Sequence, residues 1–330
     1  MAITRGRIKQ PHFITIYGQD GVCKTSIAAG APNVLMLDSE KGTLHLDVAR
    51  EEIKNYSDLS SALENILAGK PDYAGFKSVA FDSLDWLVPK IYEHVCATVK
   101  HEKGHAVDSI EGYGFGKGYT HAKDVWQDLI AKCQQVREKG INVILIAHAQ
   151  VFNIDSPDTT GSYKQFDLKL PRTNNNDIPA LFREACDSVV FASWKRLTPK
   201  DDPRAIDGGR VLRTQQAPGW AAKNRFGLPV ELELPEFARD SNGVIIPGQE
   251  PKLWAVYVNA VEKSQASGPD FNAILTMAGQ VPDAALRKTI TEAVTAAKAD
   301  PAKLGAYLEK IKKIVSKGTD TQSVTPKEEI

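Results

Sequence analysis

The chain has 330 residues, with 41 lysines and arginines against 41 aspartates and glutamates, so its formal net charge at pH 7 is zero. This length suits one large domain, or one domain with a smaller appendage. The balanced charge excludes a global field that would draw the protein to nucleic acid or to a membrane. A polyanion would therefore have to bind through a local patch.

The cysteine pattern indicates the cellular compartment. The four cysteines are scattered and none forms a C-x-x-C pair, which argues against a zinc site and against a disulfide framework and favours a reducing compartment. No apolar run reaches bilayer-spanning length, and the start, MAITRGRIKQPHF, lacks a signal-peptide core. We therefore expect a soluble, cytoplasmic protein that does not bind membranes.

From Pro11 to about Leu234, short apolar runs alternate with amphipathic segments. The predicted strands are HFITIYG, NVLMLDSE, KSVAFDS and INVILIAHAQ. The predicted helices are a segment from about Lys24, SDLSSALENILAG with Ser57 as its N-cap, LDWLVPKIYEHVCATV, and THAKDVWQDLIAKCQQVREKG. This alternation predicts an α/β fold with a mostly parallel sheet that has helices on both faces.

The sequence becomes more polar after Gln150. The polar segment FNIDSPDTTGSYKQFDLKLPRTNNND predicts a long loop, which is either functional or disordered, and DSVVFASWK and GRVLRTQQ predict two further strands. We predict a core over residues 1–235, a linker over 236–269, a small helical appendage over 270–317 and a polar tail over 318–330.

The stretch GQDGVCKTS follows the first predicted strand and matches the phosphate-loop pattern G-x-x-x-x-G-K-[ST] at all but one position. In such a loop, backbone N–H groups and the start of the next helix hold phosphates, Lys24 reaches the β- and γ-phosphates, and the Thr25 hydroxyl binds Mg²⁺. Cys23 stands where the second glycine is expected, which predicts a loop strained by about 1–3 kcal/mol rather than a destroyed one. The alternative is a plain strand–turn–helix. The predicted nucleotide-binding residues are Gly18, Gln19, Asp20, Gly21, Val22, Cys23, Lys24, Thr25 and Ser26.

Polar residues end the other predicted strands at the same edge of the sheet. Asp82 is the predicted Mg²⁺ partner, although an aspartate there could instead cap the next helix. Asp38 and Glu40 follow the second strand; one of them could be a helix N-cap, and we assign Glu40 as the base that activates water. His148 ends the most apolar strand, either as a γ-phosphate sensor or as a structural histidine.

In this order, the motifs resemble the RecA-type core of recombination and helicase ATPases. The segment Lys223–Gly227 reads KNRFG, a motif of the RecA/RadA superfamily, and could otherwise be a basic surface turn. The chain looks most like short phage-encoded RecA-like ATPases, some of which promote single-strand annealing. The resemblance covers roughly residues 12–235 and identifies the predicted core as a RecA-like P-loop NTPase.

The resemblance implies ATP and Mg²⁺ as cofactors and a homo-oligomer, either a ring or a filament. It implies that Glu40 orients the attacking water, that Asp82 and Thr25 support Mg²⁺, and that His148 couples the γ-phosphate to the loop that follows. Lys223 and Arg225 would act as trans cations across a subunit interface, on the arginine-finger principle.

In RecA-type proteins, two loops line the DNA channel. The first would be EGYGFGKGYTHAK, whose aromatic rings suit bases and whose lysine suits phosphates. The second would be the polar loop after Gln150, for which an ordinary disordered excursion is an equal alternative. The predicted DNA-binding residues are Tyr113, Phe115, Lys117, Tyr119, Lys164, Lys169 and Arg172.

These observations leave several functions open. The first is a DNA-stimulated ATPase, with turnover that a crowded loop at Cys23 could slow, that acts on single-stranded DNA in phage recombination, annealing or replication, in the host cytoplasm. The alternatives are a nucleotide-gated binding module with little turnover because of Cys23, a replicative helicase-like ATPase, and a scaffold with a vestigial loop. The C-terminal region could contact a single-strand-binding or replication protein.

Overall fold

The computed structural model describes residues 8–155, 161–173, 176–197, 206–242, 246, 249–265, 271–281, 283–297 and 301–317. The chain divides into two compact units, Met1–Val261 and Glu262–Ile330. The predicted polar tail, residues 318–330, lies outside the described residues.

The described residues form strands and helices in the alternating order that the sequence predicts. The strands are β1 (Phe13–Gly18), β2 (Val34–Asp38), β3 (Ala49–Glu52), β4 (Ser78–Asp82), β5 (Asn142–Asp155), β6 (Ser162–Leu168), β7 (Arg172–Thr173), β8 (Asn176–Asp177), β9 (Ser188–Leu197), β10 (Ile206–Arg213), β11 (Lys223–Asn224) and β12 (Glu231–Leu234). The helices are α1 (Lys24–Ala29), α2 (Tyr56–Ala68), α3 (Leu84–Thr98), α4 (Lys117–Glu138), α5 (Ile178–Ala185), α6 (Leu253–Gln265), α7 (Phe271–Ala278), α8 (Ala284–Ala296) and α9 (Pro301–Lys317).

The main sheet is mostly parallel. Its strand order is β12-β10-β9-β1-β5-β4-β2-β3, and the pairs from β9 through β3 are parallel. Strands β10 and β12 extend one side antiparallel, β11 pairs with β9, and β6 pairs with β5. The predicted α/β fold, with a mostly parallel sheet, is confirmed.

Helices cover both faces of this sheet, which explains why its central strands are apolar along their whole length. Along β1, the side chains of Phe13 and Tyr17 join the apolar cluster that includes residues of α2, α3, α4 and α5. Ile14 and Ile16, which point to the other face, join the cluster that includes residues of α1 and α6. The period of two along a strand therefore divides one sequence run between two cores.

The parallel strands bring the predicted site segments to one edge. Asp38 at the end of β2 pairs with Asp82 at the end of β4, and Gly18 at the end of β1 pairs with His148 on β5. Since β5 lies between β1 and β4, the phosphate loop, both carboxylate segments and the histidine all reach the carboxyl edge of the sheet.

Three details differ from the sequence predictions. The segment after Gln150 is a β-hairpin rather than a long loop, because β5 continues to Asp155 and pairs with β6; residues 156–160 lie outside the described residues. Helix α2 is capped by Asn55 in a capping box, not by Ser57. The predicted linker contains α6, whose Trp254 and Tyr257 are buried in the first unit because their large apolar rings fill the face that α1 leaves open.

The second unit contains α7, α8 and α9 within the predicted appendage. These helices have their own apolar cluster, formed by Ile274, Ala278, Val281, Ile290, Val294, Ala297, Leu304 and Ile311.

Candidate functional site

The phosphate loop holds Cys23 in the left-handed backbone conformation, with φ 65° and ψ 28°, as expected for a position where glycine is usual. The side chain is accommodated on the β10 side, where Arg210 Nη1 donates to Cys23 Sγ and the apolar cluster of α1 and α6 packs against it. Burial raises the pKa of the Cys23 thiol. Cysteine therefore strains this position but leaves the loop conformation intact.

Packing requires glycine at position 18, in addition to the predicted role of Gly18 in phosphate binding. A Cβ atom at this position would lie 2.1 Å from the carbonyl oxygen of Ala192 on β9. The close approach of β1 to β9 therefore fixes where the loop begins.

Lys24 lies inside the loop that it would use to hold phosphates. Its Nζ donates to the carbonyl oxygens of Gly18 at 3.2 Å and Gln19 at 2.8 Å. Burial lowers the pKa of Lys24, and the nearby carboxylates of Asp20 and Asp82 oppose that effect. An incoming triphosphate would replace these carbonyl oxygens as the partner of the ammonium group.

Thr25 and Asp82 form the predicted metal pair. Thr25 Oγ1 donates to Asp82 Oδ2 at 2.8 Å. Burial raises the pKa of Asp82 to about 6; the hydrogen bond from Thr25 lowers it, and the charges of Glu40 and Asp38 raise it further. A bound cation would stabilise this desolvated carboxylate.

The donor set fits Mg²⁺. In the described part of the chain, no group of three or more His, Cys, Asp or Glu side chains could hold a metal ion. Mg²⁺ in nucleotide sites needs only one or two protein oxygen ligands, because phosphates and waters complete its shell. The hydroxyl of Thr25 and the carboxylate of Asp82 supply two such oxygens at adjoining positions.

Asp38 has a structural role, which resolves the alternative that the sequence left open. Its carboxylate accepts hydrogen bonds from the backbone N–H groups of Glu40, Lys41 and Thr43 and from the Thr43 hydroxyl. Burial raises the pKa of Asp38, but these hydrogen bonds outweigh burial and lower it overall. Asp38 therefore shapes the turn after β2 that presents Glu40.

Glu40 lies close enough to the metal pair for its charge to raise the pKa of Asp82. Ser83 Oγ lies 3.3 Å from Glu40 Oε2 and 3.0 Å from Asp85 Oδ1, so its single proton can be donated to either carboxylate. The position next to Asp82 suits a carboxylate that takes a proton from water.

His148 belongs to the same cluster. Its Nδ1 lies 2.9 Å from Asp85 Oδ2, and its Nε2 lies 3.5 Å from Asp20 Oδ1 in the phosphate loop. The strand does not end at His148, because β5 runs on into the hairpin, but its pairing with β1 does end there.

The structure does not bring the KNRFG segment to this cluster. Lys223 lies on β11 and donates to the carbonyl oxygens of Arg183, Glu184 and Cys186, at the end of α5. Burial lowers the pKa of Lys223. Arg225, which is 52% exposed in its side chain, contacts the carbonyl oxygen of Glu184 and the carboxylate of Asp187. Neither cation reaches the phosphate loop of its own chain.

The predicted DNA-binding residues of the first loop differ in exposure: one is buried and the others are accessible. Tyr113 is 4% exposed, and its hydroxyl donates to the carbonyl oxygens of Val95 and Val99. Its assignment to DNA binding is wrong, because the ring packs under the last turn of α3. Phe115 is fully exposed and has φ 49°.

The other two residues of that loop lie at the start of α4. Lys117 pairs with Glu102 at 2.5 Å, and the Tyr119 hydroxyl donates to Glu111 Oε1 at 2.5 Å. Their DNA contacts stay a prediction.

The second predicted DNA segment lies on the hairpin and just after it. Lys164 is exposed on β6, and Lys169 is exposed near Asp85, with its Nζ 3.9 Å from Asp85 Oδ2. Arg172 instead pairs with Asp167 and Asp177. These two carboxylates offset its charge within the fold, and its DNA contact stays a prediction.

Two residues near the site, Asp85 and Arg210, were not predicted, and Asp20 was predicted only as part of the phosphate loop, not as a neighbour of His148. Asp85 and Asp20 flank the imidazole of His148, and Arg210 contacts Cys23. The position of Asp85 in the first turn after the strand that ends at Asp82 was a usable signal. Nothing in the sequence links Arg210 to Cys23, because 187 positions separate them.

A family model described as "AAA domain" matches residues 10–226, which is more than half of the chain, and the chain belongs to this family. Together with the phosphate loop and the sheet, this makes it a RecA-like P-loop protein of the nucleotide-binding ATPase class. Among solved structures, the flagellar accessory protein FlaH from Methanocaldococcus jannaschii is similar over 62% of this chain and 78% of its own, with 11% identity and a TM-score of 0.30. No curated protein matches the chain.

In the part of the chain that the structure describes, no helix combines the length and the apolar character that crossing a membrane requires.

Proposed function

We propose that this protein binds and hydrolyses Mg–ATP at the carboxyl edge of its sheet and acts as a homo-oligomer on single-stranded DNA in phage recombination, annealing or replication. One observation supports the nucleotide site above the others. Lys24 lies folded into the phosphate loop, while Thr25 of the same segment donates to Asp82 at 2.8 Å. This contact joins the two motifs that a nucleotide–metal site needs, although they lie far apart in the sequence.

The residues of this chain divide the work as follows. Backbone N–H groups of the loop and the Lys24 ammonium hold the phosphates, and Thr25 and Asp82 hold Mg²⁺, which neutralises charge that develops on the phosphates. Glu40 orients the attacking water and accepts its proton. His148 directs Nε2 toward the phosphate loop, where a donor stabilises the transferred phosphoryl group.

The exposure of Arg225 supports the oligomer proposal. Arg225 is half-exposed and lies away from its own phosphate loop. Placed against the phosphates of a neighbouring copy, it would stabilise the charge of the transition state in trans.

Exposed residues support the DNA proposal. Phe115 presents a whole ring to solvent, as a base-stacking platform does, and Lys164 and Lys169 present ammonium groups for phosphates. Since the net charge of the chain is zero, single contacts are weak, and affinity would come from many copies aligned on one strand. We further propose that the C-terminal region contacts a single-strand-binding or replication protein.

The most informative experiment measures the mass of the protein in solution with and without Mg–ATP and a short single strand, together with phosphate release. We expect a larger assembly and faster release when both ligands are present. Lys24→Ala should abolish the effect of the nucleotide on DNA binding. If DNA binding and mass do not respond to Mg–ATP in the parent protein, the DNA-linked ATPase is wrong.

A nucleotide-gated module with little turnover is the second candidate, and the left-handed conformation of Cys23 favours it. In that case Mg–ATP would alter DNA binding while phosphate release stayed at background. Unwinding of a forked duplex would instead favour the helicase-like alternative.

A further inference from the structure

Asp85 contacts both the backbone and the ring of His148. Its carboxylate accepts from His148 N at 3.0 Å through Oδ1, and Oδ2 lies 2.9 Å from Nδ1. The Asp85 side chain is only 5% exposed, and Ser83 Oγ also lies within hydrogen-bonding distance of it. This carboxylate therefore ties the start of α3 to the point where β5 leaves β1.

The opposite side of the imidazole faces the nucleotide. His148 Nε2 lies 3.5 Å from Asp20 Oδ1, and Asp20 is 94% exposed within the phosphate loop. Because Nδ1 is engaged by Asp85, Nε2 is the ring nitrogen that remains for a ligand held by that loop.

We propose that Asp85 is a positioning residue for ATP hydrolysis: it holds the His148 ring so that Nδ1–H is donated to the carboxylate and Nε2–H points at the terminal phosphate. This inference rests on the proposed ATPase function and concerns the same site. The carboxylate orients the ring through Nδ1–H and stabilises the imidazolium, in which Nε2 also carries a proton; carboxylates orient functional histidines in this way in many sites.

The charges around the ring favour an imidazolium. Asp85 from α3, Asp20 from the phosphate loop and Glu40 after β2 are negative, while Lys24 and Lys169 are positive. The hydrogen bond to Asp85 raises the pKa of His148, against the effect of burial. The same contact, with the other hydrogen bonds to Asp85, outweighs burial and lowers the pKa of Asp85. A cation supplied by the chain itself would stabilise negative charge on the phosphoryl group.

A purely structural tie between α3 and β5 would use the same hydrogen bonds. The two roles differ in one consequence. A positioning role makes the rate of hydrolysis follow the protonation of His148, so removing the Asp85 charge must change the pH at which the rate falls. A structural tie would change the folding stability or the rate by the same factor at every pH.

The experiment compares the full-length parent with Asp85→Asn, which keeps the shape and an acceptor oxygen. Glu93→Gln is the matched control, because it removes one negative charge from an exposed position on the same helix. Two quantities are measured for each protein: the pKa and tautomer of the His148 ring by nitrogen-15 NMR, with His148→Gln for assignment, and kcat for ATP hydrolysis between pH 5.5 and 9.

We expect Asp85→Asn to lower the ring pKa by about one unit or more, because an adjacent opposite charge typically contributes that much. Since the imidazolium is lost at lower pH, the alkaline fall of kcat should move down by the same amount. Glu93→Gln should leave both quantities unchanged, and His148→Gln should remove the pH-dependent step.

An identical ring pKa in the parent and Asp85→Asn would overturn the proposal. So would a lower ring pKa with an unmoved rate profile, which would leave the ATPase in place and Asp85 as a structural tie. If the parent shows the expected ring pKa but hydrolyses no ATP, the proposed function fails and the positioning role fails with it; the NMR result separates this case from the other two.

Discussion

Lys24 and Arg225 lie at opposite ends of the same pair of parallel strands. Lys24 follows the carboxyl end of β1, whereas Arg225 N donates to Asp187 O, just before the first residue of β9. The β1–β9 register runs from Ile14↔Ser188 to Gly18↔Ala192, a step of four residues, or about 13 Å. A contribution of Arg225 to hydrolysis therefore needs a second copy of the chain.

Mixing two inactive variants tests that consequence. Lys24→Ala removes the phosphate-binding ammonium but keeps Arg225, and Arg225→Ala does the reverse. Each alone should hydrolyse ATP at least about tenfold more slowly than the parent, in line with the size of arginine-finger effects. An equimolar mixture should recover activity, because a Lys24→Ala copy can supply Arg225 to the intact site of its neighbour.

The control is Arg225→Lys, which keeps the charge but not the planar fork, and should recover only part of the rate. Arg225→Ala should also leave the affinity for ATP nearly unchanged. Loss of affinity, or no recovery in the mixture, would place Arg225 outside a trans role.

Cys23→Gly tests whether the unusual loop residue limits turnover. A non-glycine residue in the left-handed region costs about 1–2 kcal/mol, and Cys23 offsets part of this through its contacts with Arg210 and the apolar cluster. We expect Cys23→Gly to change phosphate release by less than about threefold. Cys23→Val should lower the melting temperature, because a branched side chain is strained further at this φ. A parent without turnover and an active glycine variant would favour the nucleotide-gated module.

Asp82→Asn should stabilise the protein in the absence of metal and nucleotide. Because burial raises the folded pKa of Asp82 to about 6, above the unfolded value of about 3.9, Asp82 favours folding most below pH 4, and this contribution is lost as the pH rises through 6. At pH 7.5 with a chelator, we expect a gain of about 1–3 kcal/mol in the free energy of unfolding, which shrinks toward pH 4.

Asp38→Asn is the matched control for that measurement. Hydrogen bonds from the turn after β2 lower the pKa of Asp38, so its charge stabilises the folded state above pH 4. Denaturant unfolding should show a loss of stability at pH 7.5 for this variant. A loss of stability for both variants would contradict the claim that the buried charge of Asp82 destabilises the fold when no cation is bound.

Substitutions at Tyr113 and Phe115 should have opposite effects on folding stability and on DNA binding. Tyr113→Phe removes a buried hydroxyl that donates to the end of α3, which should cost about 0.5–1.5 kcal/mol of stability without weakening DNA binding. Phe115→Ala should keep the melting temperature and weaken binding to a labelled single strand by about tenfold, since stacking of a base on an aromatic ring contributes about 1–3 kcal/mol. Equal DNA binding by Phe115→Ala and the parent would remove Phe115 from the interface.

The sequence was sufficient to predict the central strands and the loop between β1 and α1, because period-two burial and the phosphate-loop spacing are local signals. It also placed Asp82 at the edge where Thr25 meets it. The hairpin of β5 and β6 was missed, since a strand that leaves the core loses its apolar run and becomes polar like a loop. Helix α6 was missed because polar turn residues precede it and only contact with the sheet buries Trp254.

Roles that depend on long-range contacts were the least predictable. Tyr113 is an aromatic residue of the kind that stacks on bases, yet it is buried and its hydroxyl donates to the carbonyl oxygen of Val95 in α3. Lys223 fits a motif of trans cations, yet its ammonium caps α5. The sequence could not distinguish the roles of Asp38 and Glu40, because both are carboxylates that follow β2. The hydrogen bonds within the turn show that Asp38 is the structural one.

The central claim is that backbone amides and the ammonium of Lys24 hold a triphosphate at the carboxyl edge of the sheet. Calorimetric titration of Mg–ATP into the parent, Lys24→Ala and the exposed-site control Lys139→Ala tests it most directly. We predict saturable binding of one nucleotide per chain to the parent and the control, and at least about a hundredfold weaker binding to Lys24→Ala, because the variant loses a charge-assisted contact worth about 3 kcal/mol. Equal binding by all three proteins, or none by the parent, would contradict the claim.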